Sequence, residues 1–205
     1  MKIIRVEPLE KSISLTWNLG IRCNYDCMYC PTELHDKKSP LADLETLKQT
    51  WLNFYKKTKE KNLPYKILFT GGEVTINRNF LPLIEFIRDG DFNIGKLLVH
   101  TNGSANEKYY RKLSSMVDAI CFSTHSEFFD EQEFFNKVKA INEIMPRPEK
   151  SIHVIIMNEY WNKDRIELYK KHLDELSIGY SVSKIYYASQ HRKYHLIQGR
   201  SNLVT

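Results

Sequence analysis

The residues with most chemical potential are cysteines, and they are unevenly placed: Cys23, Cys27 and Cys30 lie close together, and Cys121 stands alone far downstream. The C-x3-C-x2-C spacing lets three thiolates converge on one inorganic centre without help from distant chain. Disulfide scaffolds are denser in cysteine and exported, so this cluster reads as metal ligands. Structural zinc wants four ligands in a closed site. His35 offers a fourth, but a zinc knuckle then needs a cysteine near residue 40, where Pro40 stands. A cubane iron–sulfur cluster on three cysteines suits the count better, because it leaves one iron open to an exogenous ligand. Cys121 reads as a buried core thiol.

Positioning such a loop takes regular elements. Residues 12–18 read as a strand, with Ile13, Leu15 and Trp17 on one face. Ser39-Pro40 is a helix-start signal, and Leu44, Leu47, Trp51, Phe54 and Thr58 recur at helical spacing as far as Lys61. Asn79 is placed to cap a second helix, whose stripe is Phe80, Leu83, Ile84 and Ile87 and whose end is Gly90. Further strands are expected over 65–70, 96–101, 119–124, 152–157 and 180–187. A short helix is expected over 107–116. Asp130 and Glu133 resemble a capping box for the next, which Pro146 and Pro148 close, and Ile166, Tyr169, Leu173 and Leu176 mark the last.

Six strands alternating with five helices imply right-handed βαβ units and a parallel sheet. A flat doubly wound sheet and a curved partial (β/α) barrel both satisfy the pattern, and periodicity does not choose between them. Either architecture gathers functional groups at the carboxyl ends of its strands. The three cysteines follow the first strand, Gly71-Gly72-Glu73 the second and Thr101-Asn102-Gly103 the third. Ser123-Thr124-His125 follows the fourth and Asn158 the fifth. Any one of these is an ordinary turn. Five in succession describe a site.

The cysteine motif, with the aromatic Tyr29 just before its last member, resembles the signature of the radical SAM superfamily. Gly71-Gly72-Glu73 at the end of the second strand resembles that superfamily's GGE motif, and the resemblance covers roughly residues 12–187. Val74 stands where the superfamily often has proline, a position that supplies no ligand atom. The resemblance implies an α/β fold, a partial (β/α)6 TIM-type barrel with a curved parallel sheet. It implies a [4Fe–4S] cluster on Cys23, Cys27 and Cys30, with S-adenosylmethionine on the open iron. Gly71, Gly72 and Glu73 would then receive the amine of that cofactor, the glycines allowing close approach. Tyr29 would pack near the adenine, Thr101, Asn102, Ser123 and His125 near the ribose and carboxylate, and Asn158 near the adenine site.

The activity implied is reductive cleavage of S-adenosylmethionine to a 5′-deoxyadenosyl radical, which abstracts hydrogen from a metabolite, nucleotide precursor or peptide. An external electron donor of flavodoxin or ferredoxin type goes with it. The alternatives are an activase that installs a radical on a partner protein, and a non-enzymatic metal or electron-transfer module. The bulk composition agrees with an ordinary globular domain, at 42% hydrophobic and 27% charged residues. No apolar stretch suggests a membrane span or a signal peptide, so a cytoplasmic protein is expected. The net charge of +5 favours anionic partners and falls well short of a nucleic-acid signature. A single core domain is expected over 1–205, with a short basic tail at 188–205. That tail, or a protein partner, is expected to cover the open side of the barrel.

Overall fold

The computed structural model describes residues 11–31, 33–145, 150–158 and 163–185. Six strands alternate with five helices: β1 (Ile13–Asn18), α1 (Leu44–Thr58), β2 (Tyr65–Thr70), α2 (Phe80–Asp89), β3 (Ile94–Thr101) and α3 (Glu107–Met116) form the first half. The second half is β4 (Ala119–Ser123), α4 (Glu131–Ile144), β5 (Ser151–Asn158), α5 (Lys163–Glu175) and β6 (Gly179–Lys184). Short 3-10 turns follow α1 and β2. Every strand pair is parallel and the spatial order is β1-β2-β3-β4-β5-β6. Strands laid down in sequence with right-handed crossovers carry every helix to one face. Among the described residues β1 and β6 do not pair, so the sheet is open. The partial barrel implied by the sequence is the arrangement found.

Strand alternation sorts side chains between two unlike faces. Ile67, Phe69, Leu97, Val99, Ile120, Phe122, Val154 and Ile156 point to the helices and are fully buried. They meet Trp51 of α1, Ile84 and Ile87 of α2, Leu113 of α3, Val138 and Ile141 of α4 and Leu173 of α5 in one core. The alternate residues face the other way.

Two element starts differ from the sequence expectation. Helix α1 begins at Leu44, because Asp43 caps it by accepting the Thr46 N–H at 2.8 Å. Ser39 belongs instead to a turn on the Asp36 carboxylate. Asn79 stands at the start of α2 without a side-chain cap. Its amide donates to the Ala42 carbonyl at 3.1 Å and so ties α2 to the approach of α1. Asp130 caps α4 as expected, accepting from Glu133 N–H at 2.8 Å. Pro146, Pro148 and the tail at 188–205 lie outside the described residues.

Candidate functional site

The cysteine loop closes on itself between β1 and α1. Cys23 N–H donates to the Asp36 carbonyl at 2.7 Å, and Asp36 N–H donates to the Ile21 carbonyl at 3.0 Å. Inside the loop, Cys30 N–H closes a turn on the Cys27 carbonyl at 3.1 Å. His35, the sequence candidate for a fourth zinc ligand, has oxygen on both sides. Its Nδ1 is 3.0 Å from the Pro31 carbonyl and its Nε2 is 2.9 Å from the Asp26 carboxylate. It is a staple of the loop.

The glycine pair holds the entry of that loop. Gly72 N–H donates to the Gly20 carbonyl at 2.8 Å, and Glu73 N–H donates to the Arg22 carbonyl at 2.9 Å, extending the β1–β2 pairing past both strand ends. A Cβ on Gly72 would lie 2.3 Å from the Arg22 carbonyl oxygen and 2.5 Å from that of Ile21. One on Gly71, where φ is +152°, would lie 2.6 Å from the Gly20 carbonyl oxygen. The close approach that these glycines allow within the structure is that of the protein's own backbone.

Glu73 is buried at the hub of the strand ends. Its Oε1 accepts from Thr75 N–H at 3.0 Å, the Thr75 hydroxyl at 2.7 Å and the Thr101 hydroxyl at 2.8 Å, and its Oε2 accepts Asn102 N–H at 2.6 Å. Burial raises its pKa above the ordinary carboxylate value, against the opposing pull of these hydrogen bonds. Asn102 also turns its side-chain amide to Asn24 Oδ1 at 2.9 Å and to the Cys23 sulfur at 3.9 Å. Tyr25 N–H donates to the same sulfur at 3.4 Å.

A second anchor comes from the end of β4, nearly a hundred residues away in sequence. His125 Nδ1 lies 2.6 Å from the Tyr29 hydroxyl and 3.3 Å from the Cys27 sulfur, and its Nε2 lies 3.0 Å from the Ser123 hydroxyl. The Ser123 hydroxyl donates to the Thr101 carbonyl at 3.2 Å, which can only accept. Ser123 therefore receives its second hydrogen bond from His125 Nε2–H, and the bare Nδ1 accepts from Tyr29. Burial agrees with a neutral ring, holding the His125 pKa down to about 4. Beside it, Glu127 accepts the Met28 N–H at 3.1 Å.

These groups enclose one cavity of about 430 Å³ at the carboxyl ends of the strands. Cys23, Cys27, Cys30 and Tyr29 line it from the loop, Gly71, Gly72 and Glu73 from the end of β2. Thr101 and Asn102 line it from the end of β3, and Ser123 and His125 from the end of β4. Asn158 ends β5 but does not line the cavity; its neighbour Met157 does. Sequence reasoning missed Tyr25 and His100. His100 was within reach, since it lies two residues before Asn102 and so on the same strand face.

None of the four cysteines is in a disulfide. Burial pushes the Cys23 thiol up and the Cys27 thiol far up, so both are neutral as they stand. Metal ligation reverses this, because thiolate is the ligand. Among the described residues no three His, Cys, Asp or Glu side chains are gathered as ligands of a single metal ion. A cubane asks for something else, one thiolate on each of three separate irons. Three cysteines from one loop around one cavity fit that donor set.

No family model and no curated protein matches the chain. Solved structures do. A crystal structure of Streptococcus suis SuiB bound to S-adenosylmethionine superposes with a TM-score of 0.66 at 14% identity, over 94% of this chain and 47% of that one. The chain shares its fold with the matched half of SuiB. SuiB bound to precursor peptide SuiA gives 0.66 at 15% identity, over 95% and 46%. BtrN in complex with AdoMet and 2-DOIA gives 0.52 at 15%, over 71% and 56%. The chain thus spans about half the length of the structures it matches.

Proposed function

We propose that the protein is a radical SAM enzyme whose Cys23, Cys27 and Cys30 hold a [4Fe–4S] cluster beside bound S-adenosylmethionine. The observation that carries this is the convergence of the cysteine loop and four strand ends on one cavity. Likeness of fold to structures that contain S-adenosylmethionine supports it. The bound groups would supply reductive cleavage of the cofactor to a carbon-centred radical, fed by a flavodoxin- or ferredoxin-type donor.

The chain's own residues position and shield. The Tyr25 N–H and the Asn102 amide face the Cys23 sulfur and stabilise it as thiolate. Oε2 of Glu73 receives one hydrogen bond where Oε1 receives three, so it keeps an acceptor position for a ligand amine. Tyr29, stacked on His125 with ring centroids 6.1 Å apart, walls the cavity with apolar area that suits an adenine. Asn158 stays a candidate for the adenine side.

Reconstitution with iron and sulfide without oxygen, then assay for 5′-deoxyadenosine after chemical reduction, tests the proposal. About four irons and four sulfides per chain are expected. Cys27→Ala should abolish the cluster, and Cys121→Ala should leave it. Absence of 5′-deoxyadenosine from a protein with a full cluster would sink the enzymatic reading, and iron loss in Cys121→Ala would sink the three-cysteine one.

A further inference from the structure

Among the described residues, the strands that form the helix-free face of the sheet carry positive charge and no carboxylate. None of the six strands contains Asp or Glu. Lys66 and Lys96 are register partners on β2 and β3. Both are exposed, and their neighbours Ile67 and Leu97 are buried against the helices, so the two lysines point to the opposite face. Adjacent strands lie about 4.8 Å apart, which sets the two lysines side by side. Four residues on, about 13 Å along the strand at 3.3 Å per residue, His100 reaches the cavity on that same face.

His100, Cys121 and His153 are register partners across β3, β4 and β5. His153 Nε2 meets the Ser181 hydroxyl at 3.0 Å. Glu73, which lines the cavity with His100, is already held by Thr75, Thr101 and Asn102. The chain's own tail is a poor match for the charge, because residues 186–205 contain no Asp or Glu.

We infer that this face continues beyond the lining of the cavity as a substrate-binding floor, toward the amino ends of β2 and β3, and that it takes an anionic substrate, with a carboxylate or phosphate seated at Lys66 and Lys96. The inference rests on the cavity being the cofactor site proposed above, and it assigns the substrate class. Paired like charges on neighbouring strands repel, and a bound anion relieves that repulsion. On β3, His100 then lies between the anion and the cofactor end. A substrate long enough to span both ends is selected over a shorter one.

The test is titration calorimetry of the reconstituted protein at low salt, with inorganic pyrophosphate as the phosphate probe and succinate as the carboxylate probe. One equivalent of at least one probe should bind the native protein. Lys66→Ser/Lys96→Ser should weaken it tenfold or more, and Lys66→Glu/Lys96→Glu should abolish it. Both lysines are exposed, so these variants should fold, as circular dichroism will check. The tighter probe identifies the anion. A native protein that binds neither probe, or a serine variant that binds like native, overturns the proposal. Iron content and 5′-deoxyadenosine formation on the same native samples report separately on the cofactor reading. Their loss alongside intact anion binding would strike that reading and leave the basic floor standing.

Discussion

The cysteine loop is fastened at two ends by different kinds of contact. At its entry, residues 20–22 are laid backbone to backbone against Gly71, Gly72 and Glu73. At its centre, Cys27, Met28 and Tyr29 are held by side chains of His125 and Glu127. The first fastening is steric and all-or-none, because no side chain fits between two backbones in contact. The second is a set of separable hydrogen bonds, each worth about 0.5–1.5 kcal/mol net. Damage should therefore be abrupt at the glycines and graded at the histidine.

Gly72→Ala should have the largest effect. The added methyl meets two carbonyl oxygens at 2.3 and 2.5 Å, and backbone cannot yield as a flexible side chain does. A cost of about 3 kcal/mol or more is expected, with the loop displaced. Urea denaturation of the metal-free protein gives the loss of stability, and iron content after reconstitution gives the loss of the loop. A native midpoint in Gly72→Ala would show that the loop entry is not held by this contact.

Glu73→Ala should come next. It removes the acceptor shared by Thr75, Thr101 and Asn102 and leaves their donors buried without a partner. Leaving such buried donors unsatisfied costs about 3 kcal/mol. Measuring it in metal-free protein separates the loss of fold from any loss of cofactor binding. A drop in S-adenosylmethionine affinity with unchanged stability would instead make Glu73 a ligand group with little part in the fold.

The two fastenings also differ in how far the sequence discloses them. Alternating apolar residues fix the strands, and the spacing of Cys23, Cys27, Cys30 and Gly71-Gly72-Glu73 locates the site, since all of that is local pattern. The backbone contact at the glycines was hidden, because a Gly-Gly after a strand looks alike whether or not the chain itself approaches. Contacts between Cys27, Tyr29 and His125 span 96 to 98 residues and follow only from neighbouring strand ends. His100, Cys121 and His153 form a row only once the register is fixed. The start of α1 was misplaced because Ser39 and Asp43 are both good caps, and the Asp36 carboxylate claims the first.

The histidine fastening should yield by degrees, and its smallest step is the most informative. His125→Ala removes the contacts of both ring nitrogens, the stacking on Tyr29 and the edge-on contact with Tyr25, so about 2–4 kcal/mol is expected from urea denaturation. Tyr29→Phe removes only the hydroxyl that donates to Nδ1. In metal-free protein the Cys27 thiol, 3.3 Å from the same nitrogen, can donate in its place, so the change should cost under about 1 kcal/mol. With Cys27 ligated as thiolate that substitute donor is gone, and Nδ1 is left buried and unsatisfied. The same mutation should then cost about 1–3 kcal/mol, read as faster loss of iron to a chelator than in the native protein. Equal effects in metal-free and loaded protein would show that Cys27 does not become a thiolate beside His125.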